Sequence, residues 1–238
     1  MAERPIFIPA TEGKALVRTK HVRFHWFPGM AVSQKQKSVD SLHEAACELP
    51  GIARVLEISS KSRDELGVAL SAFNLTFTTL KYQHTMSVEC AYQSSKVFER
   101  GGPFGDIMAM TSREAKKDER LKSSGRLVAF RFFGVDWPLE PQTAFYDWLY
   151  INALKKQPSL AEEILSYSAF TDIEFNPERS INCQAYAVAL YIALHRRSLL
   201  DEATASKEAF LNIVGRATVS NARRDETVQG GLRLGYGN

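Results

Sequence analysis

The sequence predicts an α+β fold, mainly α. Helical spacing of apolar residues, bounded by breakers, recurs at 34–49, 87–98, 145–154, 160–167, 182–200 and around 207–213. Strand-like runs are fewer and short, at 17–26, 54–59, 72–80 and 127–133. Hydrophobic content of 45% against 24% charged residues is enough for a sizeable core without disulfides or metals.

In chain order, Ile6-Phe7-Ile8 lies between Pro5 and Pro9 and reads as a short extended piece. Residues 17–26 are rich in Val, Thr, Phe and Trp, and Pro28-Gly29 breaks the run. The helix over 34–49 has Val39, Leu42, Ala45, Ala46 and Leu49 as its apolar face and stops at Pro50-Gly51. These elements read as an N-terminal βα extension over 1–50, packed on a main domain over 51–238. The main domain opens with a strand over 54–59, a polar turn Ser59-Ser60-Lys61-Ser62 and a second strand over 72–80. A helix over 87–98 ends at Gly101-Gly102-Pro103. Residues 116–124 are a charged, solvated stretch, 127–133 a strand, and Asp136-Trp137-Pro138 a break. Aromatic-rich 145–154 and short 160–167 are helices, 170–180 is irregular and polar, and 182–200 is a long apolar helix. After a last helix comes a tail ending Gly235-Tyr236-Gly237-Asn238, expected to fray.

Composition narrows the function classes. A net charge of +3 permits a polyanionic partner without demanding one. No apolar run reaches the length of a membrane span, and Met1-Ala2-Glu3-Arg4-Pro5 lacks the apolar region of a signal peptide. Cys47, Cys90 and Cys183 are too scattered for a disulfide framework or a zinc site, so a reducing cytoplasm is the expected compartment. There is no Walker loop, no Gly-x-Gly-x-x-Gly opening a helix and no Gly-x-Ser-x-Gly elbow. Among the histidines only His21 and His25 are close in sequence, with no third ligand at metal spacing.

The most informative segment is 87–98. On a helix, Glu89, Gln93 and Lys96 share one narrow stripe. Val88 and Tyr92 flank it on one side and Cys90 and Val97 on the other, leaving no broad charged face. A buried charge costs several kcal/mol unless it is paired or used. The segment therefore reads either as a structural ion pair bridged by Gln93 or as the lining of a reactive cavity.

Other polar clusters admit two readings each. Asp172, Glu174, Asn176, Arg179, Ser180, Asn182 and Gln184 precede an apolar helix. They fit a site for phosphate and ribose, or an ordinary loop capped by Ser180 or Asn182. Asp136, Trp137, Tyr146, Asp147, Trp148 and Tyr150 fit a stacking platform or plain core. Within that group a carboxyl beside an indole suggests a raised pKa and an acid at Asp136. Ser59, Ser60 and Lys61, with Ser71-Ala72-Phe73-Asn74 downstream, fit a phosphate-holding turn or a solvated one.

These clusters resemble the NADAR family, named for its association with NAD and ADP-ribose. Ser71-Ala72-Phe73-Asn74 looks like the family's early Ser-Asn-Phe-like segment. Ser87-Val88-Glu89-Cys90-Ala91-Tyr92-Gln93-Ser94-Ser95-Lys96-Val97-Phe98 is similar to its Ser-Val-Glu-His helix running into Gln-Ala-x-Lys-Phe. Asp136-Trp137 looks like the Trp-containing middle, and Asp172 through Asn182-Cys183-Gln184-Ala185 like the late motif. Cys90 stands where the family has His, and Phe175-Asn176-Pro177-Glu178 lacks the family's glycine. The similarity spans about residues 54–200, and as a whole the chain most resembles the NADAR antitoxins paired with DarT-type toxins, which attach ADP-ribose to guanine in DNA.

The resemblance implies an N-glycosidase that removes ADP-ribose from guanine in DNA, with ADP-ribose as product, no cofactor and no metal. It implies that Lys96 forms a Schiff base with the ribose while Glu89 shuttles protons, with Asp136 as a second acid/base candidate. Gln93, Ser59, Ser60, Lys61, Phe73, Asn74, Trp137, Tyr146, Asp172, Asn176 and Asn182 would bind substrate. Arg18, Lys20, Arg23, Lys35 and Lys37 would track the DNA backbone or simply form a solvated face. The alternatives are an N-glycosidase on a small metabolite such as a riboflavin intermediate, and a non-catalytic module that binds ADP-ribose or the toxin.

Overall fold

Alternation along the first strand sets the layering. The computed structural model describes residues 1–79, 83–177 and 180–217; Leu80, Arg179 and the Gly-rich tail lie outside the described residues. Strand β1 (Ala2–Pro9) pairs antiparallel with β2 (Val17–Phe24) over its whole length, from Ala2↔Phe24 to Pro9↔Val17. Ile6 and Phe7 are both fully buried because successive side chains enter opposite layers. Ile6 joins Val22, Phe24, Val39, Leu42 and Ala46 under helix α1 (Val32–Cys47), while Phe7 joins the main core. Burying one such side chain fully contributes about 1.5–3 kcal/mol.

The remaining elements in chain order are β3 (Val55–Glu57), α2 (Glu65–Ala69), β4 (Thr76–Thr78), β5 (Thr85–Ser87), α3 (Val88–Ser94) and β6 (Lys96–Phe98). A 3₁₀ turn at Gly105–Ala109 leads into α4 (Ser112–Lys117) and α5 (Arg120–Ser123). Then come β7 (Leu127–Phe132), β8 (Val135–Trp137), α6 (Ala144–Lys155), α7 (Pro158–Glu163) and β9 (Ala169–Thr171). Last are α8 (Gln184–Arg196), α9 (Leu200–Ala205) and α10 (Lys207–Arg216). The fold is α+β with helix predominating, as expected. None of the described helices is long and apolar enough to cross a membrane.

Three small sheets organise the strands. The largest has the order β2-β1-β9-β3, with β9 antiparallel to β1 at Phe7↔Phe170 and parallel to β3 from Val55↔Ala169 to Glu57↔Thr171. The N-terminal elements thus share a sheet with a strand that precedes Asp172. Helix α8 is apolar nearly all round, buried from Ala187 to Leu194, and lies in the middle of the main core against α6.

Local chemistry moves several predicted boundaries. The helix expected over 87–98 ends at Ser94. The hydroxyls of Ser94 and Ser95 donate back to Ala91 O at 3.0 and 2.7 Å, competing with the helix ladder. The chain then turns into β6, so Lys96 leads a strand instead of closing a helical stripe. The strand expected over 72–80 shrinks to β4, because residues 71–75 form a turn with Asn74 N and Leu75 N donating to Ser71 O. The break at Asp136-Trp137 is the pairing strand β8. The stretch at 116–124 holds the end of α4 and all of α5; a Thr111–Glu114 capping box starts α4.

Candidate functional site

Helix α3 is held at its start by the turn before it. Its first free N–H groups need partners, and Val88 N donates to Leu75 O at 3.0 Å and Glu89 N to Ala72 O at 2.9 Å. Ser87 caps it by accepting from Cys90 N at 3.1 Å. All seven residues of the helix are buried. Glu89 and Gln93, both 7% exposed, lie one turn apart, and Gln93 Nε2 donates to Glu89 Oε1 at 2.9 Å. Gln93 Oε1 is buried without a partner. An acceptor left in that state costs about 1–3 kcal/mol, which marks a position awaiting a donor.

Lys96 reaches the same space from the first residue of β6. Its Nζ lies 4.8 Å from the centre of the Tyr92 ring. Burial lowers its pKa to about 8; the Glu89 charge opposes the drop and the Lys116 charge adds to it. Its backbone is fixed from outside by Gly102, at φ +84°, where a Cβ would fall 2.3 Å from Lys96 O. Tyr92 is held in turn by Asn182, whose Nδ2 donates to its hydroxyl at 2.6 Å. Tyr146 packs edge-on against the Tyr92 ring at 5.2 Å.

A second group of carboxyls lies at the end of β9. Glu57, 1% exposed, accepts from Ser59 Oγ at 2.6 Å, Thr171 Oγ1 at 2.7 Å and Ile173 N at 2.8 Å. Burial pushes Glu57 up, and those three donors oppose the rise by favouring its charge. Asp172 rises well above the usual carboxylate range, first from burial and then from the Glu57 charge. Its Oδ1 accepts from Glu174 N at 3.0 Å, and the Gln184 side chain stands against it. Gln184 Oε1 accepts from Ala72 N at 2.7 Å, so one residue joins the late loop to the turn that caps α3. Burial raises the Tyr146 hydroxyl most, and the Glu89 and Asp172 charges add to the rise, so both carboxyls lie near that group. Thr171 gives its proton to Glu57, so His43 Nε2, 2.8 Å from Thr171 Oγ1, is the N–H donor of that contact. Burial lowers His43 to about 4, consistent with a neutral ring.

The structure therefore brings Glu89, Gln93, Lys96, Tyr146, Asp172 and Asn182 together, with Phe73 beside Ala72 at the edge. It does not bring Asp136 there. In the β6-β7-β8 sheet Lys96, Phe130 and Trp137 are in register on one face, so Arg131 and Asp136 take the other. Asp136 is exposed and bound by Arg131 at 2.5 Å, and that bond holds its carboxyl below the usual range, the reverse of the expected rise. Trp137, 2% exposed, is buried between Phe145 and Trp148 with no face open for stacking. Tyr146, 6% exposed, is likewise core. Asn74 donates to Val68 O at 2.8 Å and serves the turn after α2. Ser59 is spent on Glu57, while Lys61 Nζ donates to Ser60 Oγ at 3.1 Å at the surface. Asn176 accepts from Ser180 N at 2.9 Å in the loop before α8. The expected caps of α8 are absent: Cys183 is the N-cap residue without a side-chain bond, Asn182 holds Tyr92, and Ser180 donates to Asn182 O at 3.2 Å.

Four residues of this region escaped sequence reasoning. In the sequence Tyr92 is one apolar flank of the Glu89–Lys96 stripe. Glu57 had a signal, a charge inside the apolar run Val55-Leu56-Glu57-Ile58. Gln184 looked like one polar residue among several, and Lys116 like part of a solvated stretch.

The family model described as "DarT1-associated NADAR antitoxin" matches residues 2–224. No curated protein matches the chain.

Proposed function

Because the chain belongs to the family of DarT1-associated NADAR antitoxins, we propose that it removes ADP-ribose from guanine in DNA and thereby neutralises a DarT-type toxin. The observation that carries this reading is a lysine amine lowered to about 8 and facing a buried carboxyl, beside an unpartnered buried acceptor.

At pH near 8 about half of Lys96 is free amine, a nucleophile available without a metal-bound water. Its Nζ attacks the anomeric carbon of the ribose. The bond from that carbon to guanine breaks, its electron pair stays on the guanine nitrogen, and that nitrogen takes a proton. Glu89 accepts the proton that the amine loses and hands it to the departing guanine nitrogen; opening of the ribose ring then moves the remaining N–H proton to the ring oxygen and gives the imine, leaving Glu89 ionised. Water then adds to the imine carbon with Glu89 as base, the C–N bond to Lys96 breaks, and ADP-ribose leaves. Gln93 Oε1 accepts from a ribose hydroxyl. Asp172, raised by burial and by Glu57, is the second proton source in place of Asp136. The modified base must be single-stranded or turned out of a duplex to reach Lys96.

The test mixes the protein with a guanine-ADP-ribosylated oligonucleotide and measures released ADP-ribose. Release by wild type, its loss in Lys96→Ala and Glu89→Ala, and a borohydride-trapped adduct on Lys96 are expected. Neutralisation of the toxin in cells by either variant would sink the catalytic reading. Cleavage of a small glycosylated metabolite but not of the oligonucleotide would replace DNA as substrate.

A further inference from the structure

Helix α4 has no part in the steps above, yet it stands at the edge of the site. Ser112 Oγ lies 2.8 Å from both Phe73 O and Ser87 Oγ, and Lys116 Nζ sits 5.1 Å from the centre of the Phe73 ring. Arg113, Lys116 and Lys117 fall at i, i+3 and i+4, on one face, and all three are exposed. None of them forms an ion pair with a described residue. The neighbouring acids are engaged: Glu114 in the capping box with Thr111, and Asp118 with Arg120 at 2.7 Å. Of the basic residues singled out near the N-terminus, two are engaged, Lys35 with Glu174 at 3.4 Å and Arg23 with Glu3 at 3.5 Å.

The surface around α4 is a trough. One depression of about 500 Å³ runs from Phe73 and Ser87 to Met110 and Ser112. A second, of about 650 Å³, is lined by Ala109, Met110, Arg113, Glu114, Lys117 and Asp118. Ala109 and Met110 line both, so the two adjoin. Lys116 is close enough to Lys96 for its charge to act there.

We propose that α4 is a rail for the phosphates of a single DNA strand flanking the modified guanine, with Arg113 and Lys117 gripping the backbone in the trough and Lys116 at the entrance to the site. The proposal rests on the reading of DNA as substrate. A diphosphate held at Lys96 would engage the entrance alone. Arg113 and Lys117, without ion pairs among the described residues and in an open trough whose acids Glu114 and Asp118 are bound to Thr111 and Arg120, match the repeating charge of a polynucleotide.

Two measurements on the whole chain test this. In the first, an unmodified single-stranded DNA oligonucleotide is titrated with wild type and with Arg113→Ala/Lys117→Ala, followed by fluorescence anisotropy. The double variant should bind roughly tenfold more weakly at about 0.1 M salt, with a log–log salt slope shallower by about 1.4; Arg113→Lys/Lys117→Arg should restore both. Unchanged affinity, or tighter binding of the same sequence as RNA, would overturn the rail. In the second, the double variant should raise KM roughly tenfold for a long ADP-ribosylated oligonucleotide, with kcat retained and cleavage of ADP-ribosylated guanosine unaltered. Equal losses on both substrates would overturn it. If wild type cleaves neither substrate, the hydrolase reading fails, while the anisotropy result still decides the rail.

Discussion

Asp136 and Asp172 make an instructive pair. Each stands next to a large apolar residue, Trp137 or Ile173, and each looked like a candidate for chemistry. In β8 the alternation of the strand sends Trp137 into the core and Asp136 out to Arg131 and water. At the end of β9 the chain leaves its sheet, and Asp172 lies near Glu57, where burial and a second carboxyl raise its pKa. An apolar sequence neighbour therefore says little about a carboxyl; the face of the strand and the charge beneath it decide.

The largest effect should fall on the amine. Lys96→Ala should reduce ADP-ribose release by about 10³-fold or more, measured in single turnovers, and abolish the borohydride adduct. Next, Asp172→Asn should cost about 10²-fold in kcat, as expected for loss of a positioned acid. A profile of kcat/KM against pH sharpens the contrast further. Below about 8 the free-amine fraction rises tenfold per pH unit, so wild type should gain activity up to that point and then level off. Stability carries the matching sign. The folded pKa of Lys96 lies below its ordinary 10.5, so the folded state binds fewer protons between about 8 and 10.5, and its contribution to stability grows across that window. Urea titrations of Lys96→Met should lack that climb. The smallest effect belongs to Asp136→Asn, which should change the rate less than about twofold, as for an exposed ion pair. A large loss there, with Asp172→Asn active, would reverse the comparison.

The sequence disclosed some parts of the molecule because their signals are local. The runs that became α6, α8 and β7 are apolar over most of their length, and their class follows from composition alone. The Glu89–Gln93 pair was legible for the same reason, as polar groups with no solvated face around them. The end of α3 was not, because two serine hydroxyls compete with its ladder and Arg131 N of β7 donates to Ser95 O at 2.7 Å, and the second of these is a tertiary contact. Asp136 was misplaced because neighbours in sequence do not fix a strand's face. The signal for Lys116 is also local: Thr111 and Glu114 spell a helix start, and that capping box sets Arg113, Lys116 and Lys117 on one side.

Strand β9 is only three residues long and lies between β1 and β3. Both neighbours leave the ribosome more than a hundred residues before it does, so this sheet cannot close until late in synthesis, and Asp172 and Gln184 follow later still. An interrupted translation product would be inert as an antidote however much of the Glu89–Lys96 segment it carried. Protection of the cell would begin only when nearly the whole polypeptide has emerged.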